Sequence, residues 1–98
     1  MTTQEYIVSM IKTHKAELNL LGVQSIGLFG SYARNEQSDK SDIDLLIDFI
    51  PEKENFDNYM NICDYFDKLF KNETVEIVTK NGLSPYIGPT ILKEVLYV

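Results

Sequence analysis

Ninety-eight residues, 44% of them hydrophobic and including six tyrosines and five phenylalanines, suffice for one small globular domain, residues 1–98, and leave little room for a second core. Nine Lys and Arg against fifteen acidic residues give a formal charge of −6, which argues against direct DNA or RNA binding and favours a mononucleotide or a basic protein as partner. A single cysteine excludes an internal disulfide and, with one histidine, any zinc cluster. The opening MTTQEYIVSM is not a basic-then-apolar leader, and no apolar run approaches the ~20 residues needed to span a bilayer, so a cytoplasmic protein without a membrane role is expected.

Thr2 with Glu5 has the form of a capping box, and Tyr6, Ile7, Met10, Ile11 and Leu18 follow at helical spacing, which predicts a helix over about Thr3 to Leu20. His14 falls on or beside that stripe and reads as a packed histidine. Gly22 closes the helix. Val23 to Phe29 (VQSIGLF) reads as a strand, stopped by Gly30-Ser31, with Tyr32-Ala33-Arg34 continuing as a helical turn. After the polar stretch Asn35 to Ser41, the run Asp42 to Phe49 (DIDLLIDF) reads as a second strand ended by the Ile50-Pro51 loop. Phe56, Tyr59, Met60, Cys63, Phe66, Leu69 and Phe70 mark an amphipathic helix to about Lys71, with Cys63 as a buried thiol. Thr74 to Thr79 is a third strand. Asn81-Gly82 turns, Ser84-Pro85 enters a short helix, and Ile91, Leu92, Val95 and Leu96 offer apolar surface for the sheet or a partner.

The chemistry concentrates between the first two strands. Glycine at Gly30 allows a close approach to the backbone, and the Ser31 hydroxyl with N–H groups at a helix start would hold a phosphate; a plain helix cap is the bland alternative. Asp42 and Asp44 share a strand face, ~6.5 Å apart along the chain. They can bridge hard cations, or merely begin a solvated strand. Magnesium suits the first reading, because it is commonly held by one or two carboxylates together with substrate phosphates. Glu76, on the face of Thr74 and Val78, becomes a third carboxylate if that face borders Asp42 and Asp44, and an ordinary exposed residue if it does not.

Gly-Ser, ten residues, then Asp-x-Asp, as it stands in FGSYARNEQSDKSDIDLLIDF, resembles the signature of the polymerase-β-type nucleotidyltransferases. The chain length and the closing LSPYIGPTILKEVLYV are similar to the minimal branch of that superfamily. The resemblance implies an α/β (α+β) fold: a small, mixed, twisted sheet with helices on one face and the site at an exposed rim. It implies Asp42, Asp44 and Glu76 as catalytic and metal-holding residues for Mg2+, in two ions, and Gly30, Ser31 and Arg34 as the nucleotide-binding set for ATP. A surface salt bridge is the alternative for Arg34. Asn35 stands where this branch commonly has glycine, and Glu76 where the family usually has aspartate. The family further implies an antitoxin that transfers AMP from ATP to a tyrosine hydroxyl of a HEPN-domain ribonuclease toxin, with any oligomer formed through the toxin complex. A non-catalytic antitoxin acting by complex formation is the alternative, followed by a small-molecule nucleotidyltransferase.

Overall fold

A computed structural model describes residues 2–98. The first helix starts where an extended Thr3 (φ −122°, ψ 162°) turns its hydroxyl oxygen to accept the Tyr6 N–H at 3.1 Å. The cap is therefore Thr3 rather than Thr2, whose hydroxyl donates instead to Glu73, far along the chain. α1 covers Gln4–Thr13 and α2 covers Lys15–Leu20. The expected single helix is broken at His14 (φ −103°, ψ 9°), whose N–H is shared between the carbonyls of Met10 and Ile11. The His14 ring lies with Nδ1 2.8 Å from the Met10 carbonyl and edge-on to Tyr65, so it is packed as read. Gly22 follows at φ +99°, a conformation glycine adopts without steric cost, and swings the chain into the sheet.

The sheet comprises β1 (Val23–Phe29), β2 (Ile43–Phe49), β3 (Val75–Thr79) and β4 (Leu96–Tyr97), in the order β3-β2-β1-β4. β1 is antiparallel to β2 and β4, while β2 and β3 are parallel, joined through α3 (Phe56–Leu69). A parallel pair needs such a crossover, and the Asn55 side chain starts it by accepting the Asn58 N–H at 2.8 Å.

Strand alternation sorts the side chains to two faces. Ile26 and Leu28 of β1 and Ile43, Leu45 and Ile47 of β2 point under the helices, where Ile7, Ile11, Leu18, Ile62 and Phe66 meet them, all buried to 1% exposure or less. Each such side chain contributes about 1.5–3 kcal/mol on leaving water. The buried line of α3 is Ile62, Phe66 and, just past its end, Phe70: Phe66 and Phe70 belong to the expected stripe and Tyr59 and Leu69 pack beside them, whereas Ile62 was not foreseen and Phe56 (74%) and Met60 (41%) are largely exposed. Cys63 is half-buried, and desolvation pushes its thiol pKa up, which suits a packed thiol rather than a nucleophile.

The helices do not all share one face. α4 (Gly88–Glu94) lies on the opposite side, where Ile91 packs with Phe29 and Leu46. Asp44 and Asp48 alternate onto that side with Leu46. No helix of the described residues is long and apolar enough to cross a membrane.

Candidate active site

Asp44 sits in the middle of the sheet end, paired in register with Phe29 of β1 on one side and with Glu76 of β3 on the other. The parallel β2–β3 register is what makes the two carboxylates neighbours, across a gap of 32 residues in sequence that no local pattern could bridge. Asp42 is exposed one residue ahead of the strand, Asp44 is half-buried and Glu76 is exposed. Burial raises the Asp44 pKa to about 6, helped by a carboxyl–carboxylate hydrogen bond to Glu76 and by the charges of Glu76, Asp42 and Glu94. Negative groups thus converge on Asp44 from three directions.

Gly30 closes β1 at φ +76°, and a Cβ there would collide with the Asp44 carboxylate. The close approach expected of this glycine is made by the protein's own aspartate. Beyond it the chain makes a single turn rather than a helix: the Arg34 N–H donates to the Gly30 carbonyl at 3.2 Å and the Glu36 N–H to the Ser31 carbonyl at 2.9 Å. Asn35, left-handed at φ +56°, ends it. Glycine would adopt that conformation freely, and asparagine tolerates it better than most residues. Tyr32 is buried (2%) in the main core, and Gln4 from α1 donates to the carbonyls of Tyr32 and Ala33 at 3.1 and 2.9 Å. The corner is therefore held from below.

Arg34 forms ion pairs with Glu36 (2.7 Å) and Glu94 (2.8 Å), the only two among the described residues. Glu94 also accepts the Gly30 N–H at 3.0 Å. This glutamate, 60 residues from Arg34, escaped the sequence reading. One local sign pointed to it: a carboxylate closing the last turn of a helix opposes the helix dipole and calls for a compensating partner.

Beside the carboxylates opens a cavity of about 420 Å3 walled by Phe29, Val78, Leu83 and Ile91, with Asp44 and Glu76 on its lining. Tyr86 (91%) and Ile87 (55%) stand exposed in the same segment. Oxygen donors facing an apolar recess suit a reaction in which hard-cation chemistry meets an organic acceptor.

A model of the nucleotidyltransferase domain matches residues 10–98. The chain belongs to that family. A curated relative, the protein adenylyltransferase MntA of Thermococcus cleftensis, is 39% identical, with 100% of this chain and 98% of the relative covered. A solved minimal nucleotidyltransferase superposes with a TM-score of 0.81 at 25% identity, covering 97% of this chain and 95% of the other. A toxin–antitoxin structure with AMP-PNP shares the fold at 19% identity, with a TM-score of 0.66 over 98% of this chain and 72% of that one. The minimal nucleotidyltransferase resemblance and its mixed α+β sheet therefore stand.

Proposed function

We propose that this nucleotidyltransferase moves AMP from ATP to a tyrosine hydroxyl of a HEPN-domain toxin and so neutralises it. The observation that carries the reading is the meeting of Asp44, Glu76 and the Gly30 corner on three adjacent chain segments, beside an apolar recess. Relatives named as protein adenylyltransferases, and a fold neighbour described as a toxin–antitoxin with AMP-PNP, support the nucleotide and the kind of partner.

In the reaction the tyrosine oxygen attacks the α-phosphorus, an O–P bond forms, the bond to the bridging oxygen of the β-phosphate breaks, and pyrophosphate leaves. Glu76, exposed on the recess side, takes the hydroxyl proton. Ser31, the Gly30 backbone and Arg34 hold the β and γ phosphates. The donors are all carboxylate oxygens, which suits magnesium, but among the described residues no three His, Cys, Asp or Glu side chains gather closely enough to hold a metal ion, so Asp42, Asp44 and Glu76 do not form a ready-made three-carboxylate cage and substrate phosphates would have to complete the ligand set. Asp42 and Asp44, with Glu76 on the acceptor side, would hold Mg2+, which supplies charge neutralisation at the attacking and leaving oxygens. The apolar walls of the recess accept an aromatic ring whose hydroxyl reaches the carboxylates.

Intact-mass spectrometry of a HEPN-domain partner protein, after incubation with the chain, ATP and magnesium, tests the reading. One or more added AMP units, absent with an Asp42→Ala/Asp44→Ala control, are expected. An unchanged mass, with a complex formed equally well by the control, would leave an antitoxin acting by binding alone.

A further inference from the structure

Arg34 is the one cation that the corner pairs, and it is already met by two carboxylates. Glu94 does more than pair with it. One carboxylate oxygen accepts the Gly30 N–H at 3.0 Å while the other takes the Arg34 Nη1 at 2.8 Å, so a single carboxylate spans a backbone donor and a guanidinium. A backbone N–H beside a guanidinium is the donor pair with which proteins grip a phosphate oxygen pair. These are also the two groups that the nucleotidyl-transfer reading assigns to the triphosphate.

We infer that Glu94 is a built-in occupant of the phosphate corner, and that the β and γ phosphates of the nucleotide enter by displacing it. The inference rests on the nucleotidyl-transfer reading of the site. Two physical points favour displacement over coexistence. The Gly30 N–H is a single donor, and a donor taken by a carboxylate is not free for a phosphate oxygen. A triphosphate brought up to a corner where Glu36 and Glu94 meet Arg34, and where Asp44 lies against Gly30 within the field of Asp42 and Glu94, also meets net negative charge, and moving Glu94 away removes one of those charges at contact distance. Glu94 is partly exposed (its side chain 22%) at the end of α4, just before Val95 and the two-residue strand β4, so its side chain can turn outward to water. The nucleotide site is thus tied to the C-terminal segment of the chain.

Isothermal titration calorimetry with Mg–ATP, repeated with inorganic triphosphate, tests this on the wild type, Glu94→Gln and Glu36→Gln. Glu94→Gln keeps an oxygen for the Gly30 N–H but drops the charge and the ion pair. Its Kd for both ligands is expected to fall by about three- to tenfold, the change expected from removing one partly screened like charge. Glu36→Gln, which leaves Gly30 untouched, should change Kd less. Thermal melts of each variant establish that the fold is kept. A Glu94→Gln protein that melts normally and binds Mg–ATP no tighter than the wild type, or more weakly, overturns the inference and makes Glu94 a structural brace for Arg34. If neither protein binds Mg–ATP or triphosphate, the nucleotide reading falls and this inference with it. In an 15N-resolved spectrum of the wild type, Mg–ATP should shift the Gly30 amide; a Gly30 amide unmoved at saturation also overturns it.

Discussion

β2 shows its two faces to opposite environments. Toward α1 and α3 it presents Ile43, Leu45 and Ile47, none more than marginally exposed, in a core where each residue lowers the free energy of folding. Toward α4 it presents Asp44, Leu46 and Asp48, and the cover is thin: three buried apolar residues, a recess, and carboxylates that repel one another. One face stabilises the domain while the other holds charge that folding alone would not gather. That difference is what supports placing the proposed function on the α4 side.

The sharpest way to break that comparison is to substitute one residue on each face. Asp44→Asn is expected to lower AMP transfer on the order of a thousandfold, because a carboxylate at the reacting phosphate is lost, while raising the thermal midpoint at pH 8 by a few degrees. Phe66→Ala removes a ring with no exposed surface and should cost about 3–5 kcal/mol of stability, a large part of what a domain of this size has, with the turnover of the folded fraction changed less than about twofold. Mass-spectrometric transfer rates and urea unfolding read both. If Asp44→Asn destabilised the fold as Phe66→Ala does, the two faces would not be functionally distinct.

What the sequence made legible follows the same division. β1, β2 and the α3 helix depend on local periodicity and appear where the pattern put them, give or take a residue or two at the ends, with Asp44 inside β2 and Asp42 left just ahead of it. The break at His14, the burial of Ile62 on α3, and the placement of α4 across the sheet depend on contacts between distant segments, which periodicity does not encode. Glu76 shows both cases at once. Its strand and facing were readable, but its meeting with Asp44 required the parallel register of β2 and β3. Glu94 went unassigned because its partners, Gly30 and Arg34, lie 64 and 60 residues away, and its place at a helix end showed only that some partner was needed.

A smaller effect separates the faces by pH. The folded Asp44 carboxyl titrates at about 6 against 3.8 for an ordinary aspartate, so between those values the folded protein holds a proton that the unfolded chain has released. The stability it contributes is fully present below pH 3.8 and is lost as pH rises through about 6. After screening at this half-exposed position the change is about 1 kcal/mol, or several degrees in midpoint. Melts without divalent cations from pH 5 to pH 8 should show this decline superposed on the rest of the chain's titration, and Asp44→Asn should remove that component. Magnesium should raise the wild-type midpoint more at pH 8 than at pH 5. An Asp44→Asn profile identical to the wild type would show that the carboxylates do not interact as placed.

The smallest effect concerns the corner itself. Asn35 adopts φ +56°, a region that costs most L-residues roughly 1 kcal/mol and glycine almost nothing. Asn35→Gly is therefore expected to stay within about 0.5 kcal/mol of the wild type, since relief of the backbone offsets the extra freedom of the unfolded chain. Asn35→Ala should lose about 1 kcal/mol in urea unfolding and, because the turn between Gly30 and Asn35 carries Arg34, should also weaken Mg–ATP binding. Equal stability of the alanine and glycine variants would mean that the turn is not locked left-handed. In that event the Arg34 guanidinium is positioned by its two carboxylates alone, and releasing Glu94 would free the whole corner rather than one donor pair.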